Sequence, residues 1–147
     1  MDGLAALASA CARQNISCRT NTPMRDYTTF RIGGNALFSA LPSSAEELTA
    51  LIRELHRIGA APVWFIGRGS NLLVPDEGVN GFVIFTWGLS EVRIEGETLI
   101  ADAGVGLNAL CRMAQNESLT GLEFAYGIPG TVGGGVFMNA GAYGGEI

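Results

Sequence analysis

Nine glycines fall within the last 27 residues of this 147-residue chain: Gly121, Gly127, Gly130, Gly133, Gly134, Gly135, Gly141, Gly144 and Gly145. Backbone so bare is either a flexible tether or a surface that something must approach closely. The residues between the glycines decide the matter. Ile128, Val132, Val136, Phe137 and Met138 would be wasted on a solvated linker, and Pro129 fixes its own φ. The run Gly127-Ile128-Pro129-Gly130-Thr131-Val132-Gly133-Gly134-Gly135 therefore reads as an ordered loop leading into a short helix, where successive N–H groups could face a pyrophosphate.

A second loop of this kind is Gly67-Arg68-Gly69-Ser70-Asn71, which follows the apolar run Val63-Trp64-Phe65-Ile66. Glycine here reaches φ > 0 without steric cost and admits a phosphate to the backbone; Ser70 and Asn71 add neutral donors and Arg68 a positive charge. The run is not a dinucleotide fingerprint of the Rossmann kind, because the sixth position is Leu72. Gly104-Val105-Gly106 fails the same pattern, since Asn108 and Ala109 follow it. A third stretch, Asn139 to Glu146, is small enough for a planar ring to lie against its backbone, with Tyr143 offering an aromatic face.

Around these loops the patterning alternates between helix and strand. Residues Leu4 to about Gln14 carry alanine and leucine at helical spacing, with Asp2 placed to favour the helix start. Thr22 to Gly34 reads as turns and polar residues, followed by a short strand through Leu37 and Phe38. Ser43-Ser44-Ala45-Glu46 has the form of a capping box ahead of Leu48, Leu51, Ile52, Leu55 and Ile58, and Gly59 ends that helix. Val63–Ile66 is expected to be a strand covered on both faces. Further strands are expected at Phe82–Phe85, Val92–Ile94 and Leu99–Ala103, the last two joined tightly through Glu95-Gly96-Glu97. Leu107, Leu110, Cys111 and Ala114 repeat at helical spacing between Gly106 and about Glu117. Nothing in the patterning closes the domain before Ile147, so the sequence reads as a truncated or incomplete frame.

Composition narrows the chemistry. The nine basic residues are all arginine, which excludes a lysine Schiff base and the lysine of a Walker loop. A net charge of −5 supplies no general attraction to nucleic acid or anionic lipid, and no apolar run approaches the roughly 20 residues of a membrane span. Cys11, Cys18 and Cys111 lack the paired spacing of metal or redox sites and read as reduced thiols; the single histidine, His56, reads as a polar residue near a helix end. No metal site is expected. Mean hydropathy is +0.27, enough for a sizeable core.

Taken together, Thr29-Phe30-Arg31-Ile32-Gly33-Gly34, Gly67-Arg68-Gly69-Ser70-Asn71-Leu72, Gly127-Ile128-Pro129-Gly130-Thr131-Val132-Gly133-Gly134 and Asn139-Ala140-Gly141-Ala142-Tyr143-Gly144 closely resemble, in order and spacing, the UDP-N-acetylenolpyruvoylglucosamine reductases. The resemblance runs from about Asn21 to Ile147 and matches about the first half of that family's length. It implies an α+β, FAD-binding fold of the vanillyl-alcohol-oxidase type with two small subdomains clasping the cofactor. Residues 1–20 would form a helical segment before an incomplete FAD-binding domain at 21–147, with the substrate domain absent. It further implies that Gly67, Arg68, Gly69, Ser70 and Asn71 embrace the FAD pyrophosphate together with Ile128, Pro129, Gly130, Thr131, Val132, Gly133 and Gly134. Gly141, Ala142, Tyr143 and Gly144 would lie near the flavin or its ribityl chain.

The family's chemistry, cytoplasmic and part of peptidoglycan synthesis, uses NADPH to reduce the flavin, which then reduces the enolpyruvyl double bond of the UDP-sugar. Its catalytic serine, arginine and glutamate are expected downstream of Ile147, so no residue here is assigned a catalytic role and the chain alone is expected not to turn over. Since neither histidine nor cysteine lies in the loops, the FAD is expected to be non-covalent. Two other readings remain at this point. Another FAD-dependent oxidoreductase of the same superfamily would share only the cofactor loops, and a noncatalytic nucleotide-binding module would act through a partner chain.

Overall fold

A computed structural model describes residues 2–147, with the backbone alone described for Asp2. The capping role expected of Asp2 falls on a side chain outside that description. Four strands form the main sheet, in the order β1 (Ser17–Pro23), β2 (Asn35–Leu41), β4 (Val79–Phe85), β3 (Val63–Ile66). β1 runs antiparallel to β2, whereas β2, β4 and β3 are mutually parallel. The parallel pairing follows from connectivity, because β2 reaches β3 through helix α2 (Ala45–Arg57), a crossover of the kind parallel strands require.

Register sorts the core onto the two faces of this sheet. Phe38 stands opposite Phe82 and Ala40 opposite Ile84, and these four pack with Leu7 and Cys11 of α1 (Asp2–Arg13) and Leu51 and Leu55 of α2. One residue along β4, Val83 and Phe85 turn to the opposite face and join Met24, Ala36, Ile66 and Val74. α1 shares its core with β2 and α2, and the boundary expected at residue 20 falls inside β1.

Three local expectations need correction. The strand covered on both faces is β4, where Gly81 to Phe85 are all buried; β3 is an edge strand with Trp64 52% and Phe65 57% exposed. A short apolar run does not disclose its place in the sheet order. Thr22 and Pro23, read as the start of a turn region, instead end strand β1, a polar strand burying only Thr22, whose Oγ1 lies 2.8 Å from Ser39 Oγ. The cap of α2 is set one residue later than the spacing suggested. Ser44 Oγ accepts from Glu47 N at 3.2 Å, while Glu47 Oε2 accepts from Ser43 N at 2.7 Å.

After β4 the chain builds a smaller set of elements. β5 (Val92–Glu95) and β6 (Thr98–Ala101) form the expected hairpin, turning through Gly96 at φ 60° and Glu97. α3 (Leu107–Asn116) follows, and buries Leu107, Leu110, Cys111 and Ala114 as their spacing predicts. The glycine-rich region folds into α4 (Val132–Met138) and a two-residue hairpin, β7 (Gly141–Ala142) with β8 (Gly145–Glu146). No helix among the described residues is long and apolar enough to cross a membrane.

His56 is exposed in the last turn of α2, and all three cysteines are free. Burial in the core, and then the neighbouring Cys18, push the Cys11 thiol up from 9.0 to about 12. The neutral thiol is the form the core favours. The unfolded chain, ionising first, therefore gains on the folded one as pH rises from about 9 to about 12, and stability is lost across that window. Iodoacetamide at pH 8 is expected to label Cys18 in the native chain, with Cys11 and Cys111 labelled only in denaturant; native labelling of Cys11 would show that α1 does not pack as described.

Candidate functional site

The two loops singled out in the sequence meet. A Cβ added at Gly67 would stand 2.5 Å from Thr131 Oγ1, and one added at Gly130 would stand 3.9 Å from Ser70 Oγ. Thr131, 1% exposed, pairs antiparallel with Gly106 in an isolated bridge. Leu107 N donates to Gly130 O at 3.1 Å and Val132 N to Val105 O at 2.8 Å. Three segments far apart in sequence thus converge: the end of β3, the turn before α3 and the turn before α4.

Backbone accounting separates the two loops by function. The amides of Gly67, Arg68, Gly69, Ser70 and Asn71 donate to no acceptor among the described residues. Gly69 holds the turn open at φ 63°, and its missing Cβ leaves room for the carbonyl oxygen of Tyr27. The second loop behaves otherwise. Val132 N donates to Val105 O, Gly133 N to Ala103 O at 2.9 Å, and Gly134 N to the capping Thr131 Oγ1 at 3.2 Å. Within that bend, the Gly130 and Thr131 amides carry no such bond. The start of α4 is therefore tied to the protein itself, and the first loop carries the free donors.

Beside this junction lies a cleft of about 1030 Å³. Its walls are the Asp26–Thr29 turn with Arg31, then Arg68, Trp87, Ser90 and Val92, the Gly104–Gly106 turn, and Ala109 and Met113 of α3. Tyr27 and Trp87 both stack on Phe85, at ring-centroid distances of 4.5 and 4.2 Å, which makes one wall an aromatic slab continuous with the core. The volume is ample for a ligand of cofactor size.

Of the residues chosen from sequence, Arg68 alone lines the cleft, while Gly67 and Thr131 form the junction beside it. Gly141 to Gly144 stand apart. They belong to the β7–β8 hairpin, whose turn has Tyr143 at φ 53° and Gly144 at φ 84°, the pair of positive angles that a type I′ turn requires. Tyr143 is 92% exposed there. Sequence reasoning missed the Asp26–Thr29 turn, Trp87 and the Gly104–Gly106 turn as parts of a site. Gly104-Val105-Gly106 did carry a signal: a Cβ at Gly104 would meet the carbonyl oxygens of Thr86 and Leu89, so the glycine permits close strand-to-turn packing in place of a dinucleotide fingerprint.

An α+β sheet that presents a bare loop of free amides beside an open cleft defines a nucleotide-cofactor domain, and a protein-family comparison specifies which. The chain belongs to the FAD binding domain family, whose model matches residues 36–147. It is 46% identical, over 92% of its own length and 45% of the relative's, to UDP-N-acetylenolpyruvoylglucosamine reductase of Latilactobacillus sakei. Among solved structures it resembles UDP-N-acetylenolpyruvylglucosamine reductase from Thermus caldophilus, with a TM-score of 0.67 and 36% identity over 89% of this chain and 44% of that one. A solvent-stable cholesterol oxidase shares the fold at a TM-score of 0.69 and 17% identity, covering 88% of this chain and 25% of that chain. The resemblance drawn from the four motifs is borne out, and the chain spans a little under half the length of the curated relatives it matches.

Proposed function

We propose that this chain is the FAD-holding part of a reductase that converts UDP-N-acetylenolpyruvoylglucosamine to UDP-N-acetylmuramate. The FAD diphosphate is placed at the junction of the Gly67–Asn71 loop with the Gly130–Thr131 bend. One observation carries this reading: a run of five amides with no acceptor among the described residues begins at Gly67, which stands against the buried Thr131 of the second loop, in a chain whose family binds FAD. The residues present fit the group. Amides of residues 67–71 supply donors without side-chain bulk, Ser70 and Asn71 add neutral donors, and Arg68 supplies charge.

Of the other residues read from sequence, Ile128, Pro129, Val132, Gly133 and Gly134 shape the second loop and hold Thr131 in place. Gly141, Ala142, Tyr143 and Gly144, outside the cleft itself, would offer the hairpin surface toward the flavin or its ribityl chain. Bound FAD would accept hydride from NADPH and deliver it to the enolpyruvyl double bond. What this chain contributes is binding and orientation of that cofactor, held non-covalently. The UDP-sugar is a partner of the whole reductase, and a cytoplasmic location belongs to the same proposal.

The test is a titration of the purified chain with FAD. A one-to-one complex that quenches flavin fluorescence and loses its colour on dialysis is expected. A chain that leaves flavin fluorescence unchanged at saturating concentrations would overturn the reading. Flavin that stays attached after denaturation would favour a different oxidoreductase of the superfamily.

A further inference from the structure

Resting on the FAD reading, we propose that Arg31 and Arg68 are the charge-reading pair of the cleft. They would fix the phosphate-bearing part of the ligand and select a dinucleotide over a phosphate-free flavin. Both arginines line the same cleft, one from the turn after Thr28 and the other from the free-amide loop. In a chain of net charge −5, neither makes an ion pair among the described residues, although Asp26 also lines the cleft. An unpaired guanidinium in a concave site is a ready partner for a phosphate, which it can meet with two parallel hydrogen bonds.

The backbone at Arg31 supports this assignment. Arg31 sits at φ 56°, in the left-handed region that side chains with a Cβ enter only at a cost. The surrounding structure imposes it. Arg31 N donates to Thr28 O at 3.1 Å, Thr28 Oγ1 donates to Ile32 O at 3.2 Å, and Thr29 N donates to Gly69 O at 3.1 Å. The last of these ties the Arg31 turn directly to the free-amide loop. Glycine would satisfy this backbone with less strain, so an arginine here is held against local preference. Arg68 is fixed differently, its guanidinium resting over Gly106, where an added Cβ would come within 3.4 Å of Nη2.

Substitution by the residue the backbone prefers gives a test that separates function from folding. Arg31→Gly is expected to leave the thermal midpoint unchanged or a few degrees higher, while FAD affinity falls about tenfold. The salt dependence of FAD binding should become shallower, because one charge pair that salt screens is removed. Arg68→Gln is expected to act in the same direction. Arg31→Lys should keep most of the salt dependence, and riboflavin, which carries no phosphate, should bind wild type and Arg31→Gly alike. The inference is overturned if Arg31→Gly binds FAD with wild-type affinity and wild-type salt dependence. It is equally overturned if riboflavin loses as much affinity as FAD. A wild-type chain that binds no FAD at all refutes the underlying reading instead, and the variants are not needed to see that.

Discussion

Gly69→Ala is expected to lower stability by about 3 kcal/mol and to abolish FAD binding while leaving most of the chain folded. Two costs combine. An alanine at φ 63° occupies the left-handed region, at about 1–2 kcal/mol, and its Cβ collides with the carbonyl oxygen of Tyr27, an overpacking cost of about 1–3 kcal/mol. Relief requires the loop to move away from the Asp26–Thr29 turn. That movement breaks the bond from Thr29 N to Gly69 O and turns the free amides of residues 67–71 out of register. A domain of this size commonly has about 5–15 kcal/mol in hand, so the variant should still fold, and lost binding would report geometry. Thermal unfolding with and without FAD checks both parts. An alanine variant with wild-type midpoint and wild-type flavin quenching would mean that the loop does not adopt the left-handed turn.

Such a collision was invisible in the sequence, although the glycine itself was not. Patterning disclosed the elements that have one apolar stripe packed on the core, α2 through Leu48, Leu51 and Leu55 and α3 through Leu107, Leu110, Cys111 and Ala114, and it disclosed the β5–β6 hairpin through its tight turn. It failed where burial depends on neighbours from elsewhere in the chain. Val63–Ile66 and Phe82–Phe85 are equally apolar, yet β4 became central and β3 an edge because the topology, not the composition, assigns neighbours. β1 escaped notice because its stabilising contacts are a ladder of backbone bonds to β2 and the Thr22–Ser39 hydroxyl pair, neither of which leaves a hydrophobic signature.

The candidate site divides in the same way. Residue types announced both glycine loops, since bare backbone interleaved with apolar residues has few structural uses. Which amides are free could not be read from them. Val132, Gly133 and Gly134 looked as well suited to a phosphate as Gly67 to Asn71, and the distinction lies in Val105, Ala103 and the Thr131 hydroxyl, which take up the second set. The aromatic wall was equally hidden, because Tyr27 is far in sequence from Phe85 and Trp87 and meets them only after β4 has been placed.

The contact between Gly67 and Thr131 is the joint on which the cradle depends, and a double-mutant cycle measures it. Gly67→Ala alone is expected to cost about 2 kcal/mol, because its Cβ would stand 2.5 Å from Thr131 Oγ1, and the β-branched threonine, 1% exposed, has nowhere to turn. Thr131→Ala alone removes the hydroxyl that caps α4 by accepting from Gly134 N, at about 1 kcal/mol, with a further loss for the cavity left behind. The two changes are complementary in space. Once Oγ1 and Cγ2 are gone, the nearest remaining Thr131 atom is Cβ, at 3.5 Å, an ordinary contact for the new methyl group. The double variant should therefore lose about 1–2 kcal/mol less than the sum of the single losses, a coupling within the range seen for residues in contact. Urea unfolding of the four proteins supplies the comparison. Additivity within about 0.5 kcal/mol would place the two loops out of contact. A single diphosphate could then not be gripped by both, however well either loop is made for it.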